Sequence, residues 1–495
     1  MPPVALVALV VLLPLLGALA VAAGARARGG GLAAAAGGAG SFAASIVLAV
    51  HVEHAGHVEA SSGFLYVDAL GAFFAVVVSL VVLLASLGSI AYLGAEEARG
   101  LLTPFQVRLY FVFFSLFASG MLAVFMTGNL GLLWVLVETS TLASVVLVGL
   151  EGKARSLEAA WKYVIISSFG VTIALVATLF LFFAASGAHL TSEQRLTWYY
   201  LLHHAHGLTP SSMRLTFLLA VVGYGTKVGL APMQTWLPDA HSEAPSPASA
   251  MLSAGLLNTG MYAIIRYRAI TGLALGPRFP DTVLLFFGFL TVFVGVMFLV
   301  RAANYKRMYA YSSIEHMGII AIALGFGGTL GFYGALLQVL AHAIGKAVLF
   351  LSSGHLVLGY RTREVSEVRG VLSVLPFAGG ILLLAALAVG GSPPFGVFLS
   401  ELTIVRAGFD HVNPFLPALL LLFLVIGFIS LLHGTLAMVS GERPSSEVLV
   451  PYAGRTQRLA ASLPLVGGLG LLATLGLWIP GGLSDLLVHS IHTMA

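Results

Sequence analysis

Apolar runs of about 20 residues follow one another along nearly the whole chain, and the short segments between them collect most of its charged residues and prolines. A helix of about 20 apolar residues crosses the hydrocarbon core of a bilayer. The pattern predicts fourteen spans, over roughly 3–24, 31–51, 65–93, 108–127, 129–150, 159–186, 213–237, 245–270, 280–300, 307–326, 331–359, 371–409, 414–440 and 460–482. The segment 371–409 is too long for one simple crossing. It contains Gly390-Gly391-Ser392-Pro393-Pro394-Phe395-Gly396, where the prolines remove backbone donors, so a broken helix is expected there. The first run, Val4 to Ala23, shows no clear small-residue cleavage site and is expected to stay as a span.

Composition agrees with this pattern. Of 495 residues, 59% are hydrophobic and 9% charged, against about 25% charged in soluble domains. The fold class expected is an all-α polytopic membrane protein. The net charge of +4 is scattered among loops and makes no nucleic-acid surface. The absence of cysteine excludes thiolate-held iron–sulfur clusters and disulfides in this chain. No phosphate loop or dinucleotide fingerprint stands in a strand–helix context.

Charge placement sets the orientation. Numbered alternately from an outside N-terminus, the inside loops hold Arg26, Arg28, Arg99, Arg108, Lys153, Arg155, Arg301, Lys306, Arg307, Arg361, Arg363, Arg369, Arg443, Arg455 and Arg458. The outside loops hold Arg195, Arg214, Arg266, Arg268 and Arg278. This bias places both termini outside. Lys162, Lys227, Lys346 and Arg406 fall within spans.

A weak internal repeat is visible. Trp134-Val135-Leu136-Val137-Glu138 lines up with Tyr311-Ser312-Ser313-Ile314-Glu315, and Lys227…Pro232 with the break at Pro393-Pro394 and Glu401. Units of five spans, an odd number, must be inverted relative to each other, and inverted repeats with broken helices are a transporter signature. The expected division is 1–107, an N-terminal group of helices 1–3; 108–270, the first repeat (helices 4–8); 271–440, the second (helices 9–13); and 441–495, the C-terminal segment with helix 14.

The stretch from Gly223 to Asn258 concentrates chemistry in an apolar setting. It carries Lys227, Asp239, His241 and Glu243, with prolines at 232, 238, 245 and 247. Pro232 breaks the helix that carries Lys227 at membrane depth. Such breaks persist only where protein or water surrounds them, and an ionisable residue there is a functional hypothesis by default. Glu138, mid-span in LLWVLVETSTL, is the natural partner of Lys227; the alternatives are a transport pair, in which distance sets protonation, and a structural ion pair. His316 follows Glu315 in YSSIEHMG. His342 and Lys346, four apart in LAHAIGKAVLF, share a helix face. Any single one of these histidines reads as a satisfied core residue; together they read as a proton relay. Glu401 lies just past the second break with Arg406 five residues on, a proton site or a plain salt bridge. His241 either links the first path to the inner face or merely ties its loop.

Other clusters carry less. His51, His54 and His57, with Glu53 and Glu59, form an exposed run that is weak as a metal site, and His203, His204 and His206 are equally weak. No metal is expected. Trp198, Tyr199 and Tyr200 read as an interfacial aromatic belt.

At these residues the chain resembles a known family. KVGLAPMQTWLPDAHSEAPSPASAMLS, with Trp134…Glu138 before it and YSSIEHMG after it, looks like the antiporter-like subunits of respiratory complex I, of multi-subunit cation/proton antiporters and of membrane-bound hydrogenases. YGTKVGLAPMQTWLPDAHSEAPSP and PPFGVFLSE carry a narrower likeness, to the F-type subunit of hydrogenase-4 and formate-hydrogenlyase complexes. The resemblance spans roughly 65–440. It implies about fourteen transmembrane helices in two inverted five-helix repeats, with helices 7 and 12 broken. It makes Glu138 the fifth-helix glutamate, Lys227 the seventh-helix lysine, His241 the histidine of the following loop, His316 that of the tenth helix and Glu401 the terminal acid of the twelfth. One departure matters: Asn258, in LLNTGMY, stands where many relatives carry a central lysine.

The expected function is proton translocation in the inner (plasma) membrane, as one subunit of an energy-converting redox complex. Protonation changes would pass along Glu138 and Lys227, then Lys346 and His342, then Glu401. The resemblance implies sister antiporter-like subunits and peripheral redox subunits as partners, with NiFe and iron–sulfur centres there and no cofactor on this chain. The rivals are a sodium/proton antiporter subunit and a structural spacer.

Overall fold

The computed structural model describes residues 2–25, 27–61, 63–442, 448–452 and 454–494. The chain is almost entirely helical. Helices α1 (Pro3–Ala22), α2 (Ala27–Ala55), α3 (Ala69–Ala98), α4 (Pro104–Val124), α5 (Leu130–Val148) and α6 (Ala154–Ala184) come first. A short hairpin, β1 (Val58–Ala60) with β2 (Leu65–Val67), precedes α3. Then follow α7 (Pro210–Val228), α8 (Trp236–Glu243), α9 (Ser246–Leu275), α10 (Arg278–Leu299), α11 (Tyr305–Phe326) and α12 (Gly328–Tyr360). Helices α13 (Pro376–Val389), α14 (Gly396–His411), α15 (Phe415–Val439), α16 (Arg455–Leu477) and α17 (Gly481–His492) complete the chain.

Among the described residues, eleven helices are long and apolar enough to cross a membrane unbroken. The other three expected spans are the two broken ones, α7–α8 and α13–α14, and α11, whose polar residues lower its hydropathy. Helices α9 and α12 are buried throughout their apolar windows and form the centre, whereas α15 and α1 lie at the rim with only about a third of theirs buried. The expected start of the third span is wrong by a few residues. Residues 65–67 are a strand, and α3 begins after Asp68, which caps it by accepting from the Gly71 N–H.

Local chemistry explains the ends. Thr103 and Gln106 make a reciprocal capping box with Pro104 at the first helical position of α4. Asn129 caps α5, which carries Glu138, and Asn304 caps α11, which carries Glu315. Each of these asparagines also makes an isolated bridge to a distant loop, Asn129 to Thr197 and Asn304 to Glu364. The two halves thus start the glutamate helix in the same way.

Both breaks satisfy their freed backbone groups with protein, as membrane depth demands. Helix α7 ends at Gly229 in the left-handed conformation, φ 82°, where a side chain would be strained. The Ala231 N–H donates to Thr291 Oγ1 at 2.9 Å, and Trp236 Nε1 donates to the Thr226 carbonyl at 2.8 Å. At the second break Gly391 has φ 81°, and the Ser392 N–H reaches the Leu387 carbonyl at 3.0 Å.

Several sequence expectations are corrected. Arg266 and Arg268 are not loop residues but lie buried in α9. Arg266 makes a two-pronged pair with Asp68 (2.8 and 2.5 Å) and stacks on Trp198 at 3.8 Å. Trp198 is buried with it and is no belt residue. Arg268 pairs with Asp281 at 2.9 Å. Lys306, assigned to a loop, is buried in the first turn of α11. His57 stacks on Tyr66 at 5.0 Å, and among the described residues no His, Asp or Glu cluster has metal-binding geometry.

Candidate functional site

Lys227 is wholly buried near the end of α7, and its ammonium group is held by hydroxyls. It donates to Thr141 Oγ1 at 2.5 Å, to Tyr163 OH at 3.0 Å and to Ser167 Oγ at 3.2 Å. Tyr163 is fixed in turn by Ser144 (2.7 Å) and by stacking on Trp236 (4.5 Å). The break therefore positions the site: Trp236, just past it, folds back onto α6 and walls the lysine in.

Glu138 stands one turn before Thr141 on α5. Its Oε1 accepts from Ser168 Oγ at 2.6 Å, and its Oε2 has no protein partner. Glu138 and Lys227 are not in direct contact; they are joined through the neighbours Ser168 and Ser167 on α6. Glu138 is nevertheless the carboxylate whose charge acts on Lys227. The sequence reading found the two ends and missed the connecting hydroxyls. The signal was present in ISSFG, adjacent serines within an otherwise apolar span.

A second buried lysine stands in the other half. Lys346 on α12 donates to the Tyr309 carbonyl at 3.2 Å. Glu315 is the carboxylate whose charge acts on it, and the same carboxylate acts on Glu401. Glu315 makes no ion pair among the described residues. Its carboxylate lies against Gly427 of α15, where an added Cβ would collide with it. His342, one turn before Lys346, approaches the Ser253 carbonyl at 3.4 Å, and its ring is 5.1 Å from that of His316. Ser253 lies in a π-helical stretch of α9, Leu252–Leu256, a distortion frequent at functional positions.

His316 Nδ1 is 3.0 Å from Gln338 Nε2, and Ser400 Oγ bonds Gln338 Oε1. Ser400 immediately precedes Glu401. Gln338 and Ser400 were not singled out in the sequence; they connect the histidine pair to the second break. Glu401 lies against Gly391, in a groove of about 360 Å³ lined by Pro393, Leu402 and Phe428. Arg406 is not its partner. Arg406 is exposed and faces Asp410 at 3.9 Å, one turn along the same helix.

His241 lies on α8, not on a loop, and is wholly buried beside Phe350 (5.2 Å between rings). Among the described residues neither ring nitrogen has a protein partner. The charges that act on it are those of Lys306 and Lys346. Asn258, also wholly buried, donates Nδ2 to the Ala254 carbonyl of its own helix at 2.7 Å and leaves Oδ1 without a partner. Of the residues singled out in the sequence, Glu138 and Lys227 make one group and Glu315, Lys346, His342 and His316 another, with His241 in the field of Lys346.

This fold and arrangement define an antiporter-like membrane subunit. The chain belongs to the family described as NADH:quinone oxidoreductase/Mrp antiporter, transmembrane, which matches residues 127–430. The hydrogenase-4 component F homolog of Methylacidiphilum infernorum (isolate V4) is 33% identical over 417 residues, covering 84% of this chain and 86% of that protein. Two solved assemblies contain chains of the same fold. One is the Mrp complex from Dietzia sp. DQ12-45-1b (TM-score 0.83, 21% identity, 99% of this chain and 97% of that one). The other is respiratory complex I from Thermus thermophilus with bound NADH (TM-score 0.78, 22% identity, 99% and 100%). The protein is a multi-pass membrane protein, and its relatives work inside multi-subunit complexes.

Proposed function

We propose that this chain translocates protons as a membrane subunit of a hydrogenase-4-type redox complex. Its similarity to the hydrogenase-4 component F homolog supports that assembly. The observation that carries the reading is the pair of wholly buried lysines, Lys227 and Lys346, each within the field of one carboxylate from a neighbouring helix. An intramembrane lysine is expensive to charge, and its carboxylate neighbour offsets that cost only while the carboxylate is ionised. Protonation of Glu138 therefore biases Lys227 to release its proton, and Glu315 acts on Lys346 in the same sense.

The route runs from Glu138 through Ser168 and Ser167 to Lys227, then by His241 to Lys346 and His342, then through His316, Gln338 and Ser400 to Glu401. The repeats divide at about residue 270. The face bearing Arg155, Arg301, Arg307 and Arg363 is the cytoplasmic one, in an inner (plasma) membrane, with both termini outside. Electron transfer, with its NiFe and iron–sulfur centres, belongs to partner subunits; this chain makes no bonds itself. The test is proton uptake by vesicles carrying the native complex during turnover, with and without sodium. Uptake that needs no sodium supports the reading, and strict sodium dependence would replace it with cation/proton antiport.

A further inference from the structure

The face rich in arginine opens into two polar cavities, of about 510 and 820 Å³, that share Arg155, Glu243, Asn304 and Glu364 in their walls. The larger is lined by five carboxylates: Glu96, Glu151 and Glu243 from the helical body, and Glu364 and Glu367 from the loop 361–370. The loop 361–370 passes over it and is pinned to the start of α11. The Tyr305 N–H donates to the Arg363 carbonyl at 3.0 Å, the Val365 N–H to the Ala303 carbonyl at 2.7 Å, and Tyr305 OH to the Thr362 carbonyl at 2.9 Å. From this loop the Arg363 side chain reaches Glu243 at 2.6 Å and Glu151 at 3.1 Å.

Nearby, Lys306 is buried and donates to the Ala244 carbonyl at 2.5 Å, with no carboxylate in ion-pair contact among the described residues. One turn before Ala244 is His241, wholly buried, with both ring nitrogens unpartnered and with Lys306 the first charge acting on it. A simple loop staple explains Arg363 and one carboxylate. It does not explain a second buried base and an unpartnered imidazole beneath them. Buried polar atoms are nearly always bonded, to protein or to water, so the two open nitrogens of His241 are places for water.

We propose that Glu96, Glu151 and Glu243 form a proton-collecting inlet for hydrated protons, that Lys306 and His241 are its inner end, and that Arg363 is the positioning residue that latches it. With Arg363 seated between two carboxylates the inlet is shut; with Arg363 withdrawn, Glu243 is free to take a proton, Glu151 keeps only Lys153 at 2.7 Å, and water reaches His241. This rests on the reading of the chain as a proton translocator, and the test separates the two.

The chain has no cysteine, so a single Ser242→Cys, between His241 and Glu243, reports access to the inlet. Vesicles holding the native complex in both orientations are treated with a membrane-impermeant maleimide, and this subunit is then resolved by denaturing gel. Labelling is expected only from the arginine-rich face. It should be slow with Arg363 present, at least about tenfold faster with Arg363→Ala, as loss of one charged hydrogen bond supports, and slow again with Arg363→Lys. Where Ser242→Cys prevents assembly, Ala244→Cys reports on the same floor. Equal rates in all three backgrounds, or labelling from the opposite face, would overturn the inlet. Labelling needs no turnover, so a complex that labels as expected but moves no protons would sink the transport reading and leave the gated inlet standing.

Discussion

The side-chain amide of Asn258 is bonded to the carbonyl of Ala254, 2.7 Å away, so its donor is turned back onto its own helix. An amide neither stores a charge nor, with its donor so engaged, offers a strong handhold for a proton. Lys346 makes one hydrogen bond among the described residues, to the Tyr309 carbonyl at 3.2 Å, and lies in the field of Glu315.

The effects of substitution at these two positions should therefore be unequal. Asn258→Ala is expected to lower proton translocation less than about threefold, because one hydrogen bond within a helix is lost. Lys346→Ala should reduce it more than tenfold, since the relay loses a charge-carrying site. Translocation by reconstituted complexes, normalised to assembled protein, decides. Abolition by Asn258→Ala with normal transport by Lys346→Ala would relocate the essential link to α9.

The hydroxyls around Lys227 give a second expectation. Ser168→Ala removes the one side-chain bond that Glu138 makes among the described residues, and Thr141→Val removes the shortest bond to Lys227. Each should slow translocation by about tenfold or more, the size of one hydrogen bond to a charged group, while assembly stays intact. Unchanged rates in both would mean that the two ends communicate without these side chains.

Asp68 and Arg266 serve stability. Removing one member leaves an uncompensated buried charge, at a cost of about 3–5 kcal/mol. Asp68→Asn or Arg266→Met alone should lower the thermal aggregation temperature of the complex sharply. The double change should be less harmful than the sum of the two singles; additive losses would show that the pair is not acting as a unit.

Much of this could be read in the chain, and the exceptions share a cause. Span positions and breaks follow from local hydropathy and proline, and Glu138, Lys227 and Lys346 stand out because charge is rare inside apolar runs. Arg266 was misplaced because Asp68, its partner, lies 198 residues away, and nothing local shows that its charge is neutralised. Ser167, Ser168, Thr141 and Gln338 were overlooked because uncharged polar residues are common in spans, where most of them bond back to their own helix. Arg406 was legible: residues five apart do not face each other on a helix, whereas Asp410, four away, does.

The orientation has its own check. A reporter fused after the C-terminus should be active only when it requires the outer face. Activity restricted to the cytoplasm would invert the route and place the arginine-rich inlet outside.

The central claim is that Glu138 and Lys227 act together on protons. The most direct measurement is proton translocation per electron pair in vesicles carrying the assembled complex with Glu138→Gln, Lys227→Ala or both. Each single change is expected to lower the ratio strongly while redox activity and assembly persist, and the double change should be no worse than the more severe single. Two fully assembled variants that translocate protons at the unmodified ratio would contradict the account.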